Sequence, residues 1–357
     1  MKQKLLSSLI IGSTLIAAST AAEAANVYKA DTSNLDIIGR VKTNLNNNDA
    51  DSTHRASGTA RLGVTGNTKV NDHLGVFGYV MYDLAAQETE KVEDRIKIRE
   101  SWIGFDFKEF GKVSFGRFTD AFYTVTKVTD LFVDYGKYNG VTYWGLSKND
   151  FGGRKDGQVK YQVKYNGFNF NASYQFRQTN KYINYGTGFS FGYIGEVADN
   201  SFGILAGYNH YDGYNSKETS GYQANGLFYG ANKNEAAVSV FFGDFGAPGV
   251  YAAVVYNHGQ LQHTYESDGV EAALSYTTPG TDWTFTANYQ YAHNNDKKLT
   301  RESFKNDKSI LKSAWTGEII YRVTPKFNIY TDLERRYESV IKNESENLAT
   351  IGLIYNF

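Results

Sequence analysis

The chain has 357 residues, with 37 basic and 38 acidic side chains, no cysteine, 35 glycines, 28 tyrosines, 23 phenylalanines and only 3 prolines. So even a charge balance gives no support for nucleic-acid binding, and the lack of cysteine excludes disulfides and thiolate metal sites. An aromatic-rich sequence with almost no helical periodicity beyond residue 25 indicates one large all-β object.

Residues 1–24 stand apart. Lys2 and Lys4 precede an apolar run from Leu5 to Ala18, and Ala22-Glu23-Ala24 has the small-x-small pattern of a cleavage site. The run is short for a spanning helix, so a secretory signal peptide cut after Ala24 is expected. Residues 25–357 then form a single domain. No later stretch reaches the ~20 apolar residues of a transmembrane helix, so a membrane location requires β-strands.

From Leu35 onward the sequence alternates. The first predicted strand, Leu35 to Leu45, sets Leu35, Ile37, Val41 and Leu45 on one face and Asp36, Arg40, Lys42 and Asn44 on the other. Strands follow near 59–68, 74–84, 95–107 and 112–117. The clearest pattern is the hairpin Gly157 to Arg177. Val159, Tyr161, Val163 and Tyr165 continue across Asn166-Gly167 as Phe168, Phe170, Ala172 and Tyr174, while Gln158, Lys160, Gln162 and Lys164 take the opposite face. Asn-Gly supplies the two positive-φ residues of a type I′ turn, which pairs Tyr165 with Phe168.

Strands near 186–197 and 202–211 meet at Ala198 to Ser201. Later pairs flank Gly246 to Gly249, Pro279-Gly280 and Thr324-Pro325-Lys326, and the last strand ends at Phe357. Sixteen strands result, and the short connections after even-numbered strands contain all three prolines. Long polar connections follow odd-numbered strands: 46–57, 85–94, 118–153, 178–185, 212–233, 259–266, 293–310 and 339–346. This is the pattern of a 16-stranded antiparallel transmembrane β-barrel. A soluble sandwich would bury its apolar face. Here the apolar face gathers Tyr and Phe near strand ends, as interfacial girdles require, and closure leaves no unpaired edge in lipid.

These features resemble the Gram-negative general porins, over essentially all of residues 25–357. The resemblance is carried by the signal peptide, the Gly-Arg of the first strand, Ala60-Arg61-Leu62-Gly63, Gly116-Arg117 and the terminal Phe357. Thr129 to Gly136 resembles the family's acidic loop segment, with Val133 replacing its proline and Asp134 its glutamate. The resemblance implies a homotrimeric outer-membrane channel whose terminal aromatic is recognised by the assembly machinery. Partners would be outer-membrane lipid, lipopolysaccharide, ions and small hydrophilic solutes.

A barrel this wide encloses water, and the long third connection, 118–153, is expected to fold into the lumen and narrow it. It would bring Asp120, Asp130 and Asp134 to face Arg40, Arg61, Arg117 and Arg154 on the wall, positions that match four wall cations of the resembled family. Opposed charges across a narrow gap filter solutes by size and charge. Asp120 could instead anchor the loop. Tyr79 and Phe77 share the lumen parity, either as an aromatic slide for sugars or as packing against the loop.

Three other functions compete. A selective porin with a saturable oligosaccharide or anion site shares the fold. An adhesin-like barrel would use the connections 212–233 and 293–310. An enzyme is disfavoured, because His54, His73, His210, His258, His263 and His293 sit in turns, loops or strand ends without a serine at suggestive spacing. No cofactor is implied.

Overall fold

The computed structural model describes residues 25–48, 53–85, 96–135, 154–177, 183–213, 232–261, 265–295, 310–338 and 345–357. The expected signal peptide, the second half of the third connection (136–153) and most of the other long connections lie outside the described residues. The first strands are β1 (Ala25–Lys29), β2 (Ser33–Asn48), β3 (Thr53–Lys69), β4 (Gly75–Ala85), β5 (Ile96–Asp106) and β6 (Lys112–Thr119). Then come β7 (Arg154–Tyr165), β8 (Phe168–Gln175), β9 (Ile183–Val197), β10 (Asn200–Gly213), β11 (Lys233–Phe242) and β12 (Gly249–Leu261). The last are β13 (Tyr265–Thr277), β14 (Trp283–Asn294), β15 (Ile310–Arg322), β16 (Phe327–Glu338) and β17 (Ser345–Asn356).

From β2 to β17 each strand pairs antiparallel with the next, and β17 returns to β2 from Leu348↔Asn48 to Asn356↔Arg40. The expected sixteen-stranded cylinder is thereby closed. An additional strand, β1, was not expected. It pairs with Asn34 to Ile37 of β2, immediately beyond the point where β17 stops, and so occupies ladder groups that β17 leaves open. Closure is finished by Phe357, whose N–H donates to the Gly39 carbonyl at 3.0 Å while the Gly39 N–H donates back at 2.7 Å. The Phe357 ring lies 2.3 Å from where a Cβ on residue 39 would stand, which explains glycine there.

The Gly157 to Arg177 hairpin forms as its pattern dictates. Tyr165 pairs with Phe168, and Asn166 and Gly167 take φ of 46° and 85°. Facing alternates round the cylinder: Ile103, Phe168 and Trp315 on the outside are 69, 64 and 63 % exposed, while Asn171, Ser190, Gln290 and Thr316 inside are buried. Aromatic pairs border the outer apolar band, Trp283 with Tyr321 (centroids 4.6 Å apart) towards the short-turn rim and Tyr289 with Trp315 (4.3 Å) towards the long-loop rim.

Two of the bulges in the ladders lie beside the charged part of the wall. Met81 pairs with Glu100 but Tyr82 with Ile98, so Arg99 is the extra residue. Gly116 pairs with Gln158 but Phe118 with Lys155, so Asp156 and Gly157 together oppose Arg117. Each bulge shifts the parity of the residues beyond it and re-aims a charged side chain.

Candidate functional site

Beyond β6 the chain turns into the barrel. Its described part, Asp120 to Tyr135, contains a short helix, α1 (Tyr123–Thr126), and one 3₁₀ turn (Lys127–Thr129), local structure that strand periodicity had not indicated. Phe122, Val125, Val128, Leu131 and Phe132 recur at near-helical spacing and share one face. That face packs on Leu205, Ala237, Tyr251, Ala253, Val255 and Ala273, inward positions of β10 to β13 where apolar residues replace the polar lumen lining. Burying a side chain such as Phe122 or Leu131 contributes about 1.5–3 kcal/mol. A Cβ at Gly207 would stand 2.9 Å from Val125 Cγ2, so glycine lets α1 approach the wall.

Polar contacts fasten this loop at three places. At its root the Asp120 carboxylate meets the Lys155 ammonium and accepts from Asn209 Nδ2 (2.8 Å) and the Tyr211 hydroxyl (2.7 Å), while Ala121 N–H donates to Ser173 Oγ at 3.0 Å. Midway, the Tyr251 hydroxyl donates to the Val128 carbonyl and Thr129 Oγ1 to Glu271 Oε2, both at 2.8 Å. At the tip, Val133 N–H donates to Glu318 Oε2 (2.8 Å), and Asp134 and Tyr135 N–H to Asp332 Oδ2 (2.8 and 3.2 Å).

Beside the loop stands a cationic stretch of wall. Asp83 on β4 bridges Arg61 Nε (2.8 Å) and Arg99 Nη1 (2.9 Å), and Arg154 is ion-paired with Glu100. Arg40, Arg61, Arg99 and Arg154 lie within one another's field as a chain: Arg40 with Arg61 and Arg99, Arg99 with Arg154. The loop answers with Asp134, which takes Lys42 as ion partner, accepts from Asn44 Nδ2 (3.0 Å) and the Tyr330 hydroxyl, and attracts Arg40. Asp130 accepts from the Tyr123 hydroxyl at 2.6 Å, and that tyrosine is in the field of Arg154 and Arg99.

Of the expected residues, Arg40 lies in the field of Asp134, Arg61 in that of Arg40, and Asp130 is bonded to Tyr123, which lies in the field of Arg154. Asp120 is buried at the loop's root with Lys155. Arg117 requires a correction. It pairs with Ser101 and follows Phe115 on the outer face, and its Nη1 lies 2.8 Å from Asp156. Strict alternation from Val113 through Phe115 already pointed Arg117 outward. Arg99, Lys42, Lys155, Glu318 and Asp332 complete the arrangement. Lys42, Glu318 and Asp332 have lumen parity by simple counting, whereas Arg99 and Lys155 are revealed only by the bulges. Tyr79 is 9 % exposed and stacks on Trp102 (5.0 Å), which meets Phe77 edge-on (5.5 Å), so these aromatics pack within the wall.

The family described as Gram-negative porin matches residues 12–356. The chain belongs to the Gram-negative porins. This porin is 25 % identical over 381 residues to outer membrane porin protein OmpD of Salmonella typhimurium LT2, covering all of both chains. In three dimensions it is similar to Salmonella typhi OmpF in complex with daunomycin (TM-score 0.75, 20 % identity, covering 93 % of this chain and 100 % of that one). It is also similar to the trimer form of OmpT from Vibrio cholerae (TM-score 0.67, 17 % identity, 92 % and 100 % covered). As a porin it resides in the outer membrane and is a channel for passive diffusion, with its short turns at the periplasmic rim and its long loops outside.

Proposed function

We propose that this porin is a general diffusion channel whose filter is the gap between Arg40, Arg61, Arg99 and Arg154 on the wall and Asp130 and Asp134 on the inward loop. The observation that carries this reading is Asp134 at the loop tip set beside the cations of β2, ion-paired with Lys42 and in the field of Arg40, with the loop fastened to the wall behind it. Opposed fixed charges orient dipolar solutes and water without holding any of them tightly. Single-channel recordings in planar bilayers test the general over the selective reading. Conductance linear in salt, with no concentration-dependent block by maltose-type sugars, is expected. Discrete blocking events that saturate with sugar concentration would assign the channel a binding site instead. The same reading leaves the protein without catalytic chemistry.

The outer face of β6 and β7 supports a homotrimer. A charged side chain on a lipid-facing strand costs about 2–4 kcal/mol near the bilayer midplane and less towards the interfaces, yet the ion pair of Arg117 and Asp156 stands on the outer wall. Protein cover from a neighbouring copy removes that cost; the remaining wall meets outer-membrane lipid and lipopolysaccharide. Arg117→Ala removes the ion partner at Nη1 from Asp156 and is expected to weaken assembly by about 2–5 kcal/mol. The readout is the temperature at which trimers fall to monomers on a native gel, and no change there refutes the assignment.

A further inference from the structure

Three strands that rise towards the outer rim carry the same outward pair. Tyr208 and His210 stand on β10, Tyr256 and His258 on β12, Tyr291 and His293 on β14, each histidine two residues beyond its tyrosine. Sheet register joins them sideways, through His210↔Asn234, His258↔Asp268 and Asp268↔His293. Every one of the three imidazoles uses Nδ1 towards an oxygen: His210 to Asn234 Oδ1 (2.8 Å), His258 to Asp268 Oδ1 (2.9 Å) and His293 to Asn295 Oδ1 (3.0 Å). Asn234 Oδ1 also accepts the Tyr208 hydroxyl at 2.7 Å. With Nδ1 turned to these oxygens, Nε2 of each ring is the atom left to meet the surroundings, and all three rings are partly exposed.

Outward tyrosines at this rim form the aromatic belt of a membrane barrel, so the next outward position lies in the headgroup layer. The outer leaflet there carries phosphorylated glycolipid. We propose that the His210, His258 and His293 row binds the phosphates of lipopolysaccharide headgroups on the β10–β14 face. This rests on the outer-membrane reading of the barrel and not on the constriction. In the bound form each imidazolium donates Nδ1–H to its protein oxygen and Nε2–H to a phosphate oxygen, a charge-assisted bond that the neutral ring cannot make.

Neighbouring acids do not block the site. Asp268 accepts from Tyr256 (2.6 Å), His258 (2.9 Å) and Asn295, so both of its oxygens are engaged within the row. Around His210 stand Tyr185, Tyr208 and Asp212, the last bonded to Asn184 at 2.8 Å. Glu266 accepts from Gln260 at 3.0 Å beside His258, and His293 has Tyr291 on its own strand and reaches Asp268 through Asn295. Histidine is the side chain that changes charge between about pH 5 and 8, so headgroup affinity falls as pH rises through that range.

The test is native mass spectrometry of the detergent-solubilised full-length porin titrated with lipid A and with dephosphorylated lipid A, at pH 6 and pH 8. For the wild type, retention of lipid A should be about ten-fold stronger at pH 6 than at pH 8, and stronger than that of the dephosphorylated lipid. A variant carrying His210→Gln, His258→Gln and His293→Gln should lose that pH dependence while conducting as the wild type does, which separates this site from the constriction. Equal retention of the two lipids, or a wild type indifferent to pH, overturns the proposal whatever the variant does.

Discussion

Asp130→Asn together with Asp134→Asn turns the channel towards anions. Asp134 neutralises Lys42 and attracts Arg40, and Asp130 is the carboxylate on the side of Arg99 and Arg154. Without these two charges the wall cations dominate the local potential, while Asn keeps the shape and can still accept the Tyr123 and Tyr330 hydroxyls. In 0.1 M salt, where the screening length is about 10 Å, the anion-to-cation permeability ratio should rise roughly three- to ten-fold. At 1 M, where screening shortens to about 3 Å, most of the change should vanish. Reversal potentials across a salt gradient measure both. An unchanged ratio at low salt removes these aspartates from the filter.

A second large effect is expected at the loop tip. Glu318→Ala with Asp332→Ala deletes the acceptors of three backbone N–H groups, those of Val133, Asp134 and Tyr135. A buried donor left without its acceptor costs about 1–3 kcal/mol, and the tip is then held only by the side-chain bonds of Asp134 to Lys42, Asn44 and Tyr330, by the Tyr135 hydroxyl with Thr350 and by the apolar contacts of Val133 with Ile320, Tyr330 and Ile354. The tip should detach for part of the time. Open-channel current noise should increase and larger sugars should enter liposomes faster, whereas the heat stability of the barrel, set by its ladders, should change little. A quiet channel with the wild-type size limit would show that the tip needs neither carboxyl.

Much of this molecule is legible in its residues because a membrane barrel obeys the simplest period there is. Asn166-Gly167 between two alternating arms specifies turn type, register and facing at once, and the same alternation places Arg40, Lys42 and Arg61 in the lumen. Legibility stops where the period is broken. The bulge at Arg99 adds a lumen cation that counting by twos assigns to the other face, and the bulge opposite Arg117 lets Lys155 take the inward place beside Phe118. Arg117 was misplaced for a different reason: its polarity suggested lumen, although Val113 and Phe115 fixed its parity outward. The loop's seat was written as an exception to the polar lining, in the inward Leu205, Ala237 and Val255. Its latch could not be read at all, since Glu318 and Asp332 bind backbone groups 185 and 198 residues away.

The inward loop follows the wall and does not hang from it. Root, middle and tip are fixed in turn to β7, β8 and β10, to β12 and β13, and to β15, β16 and β2. In mechanical terms it is a hoop riveted inside a thin cylinder. Such a brace resists ovalisation, so squeezing of the barrel by lateral pressure in the bilayer is opposed at the level of residues 120–135. On the proposed reading of the filter, the size limit of the channel is thereby insulated from the state of the membrane around it.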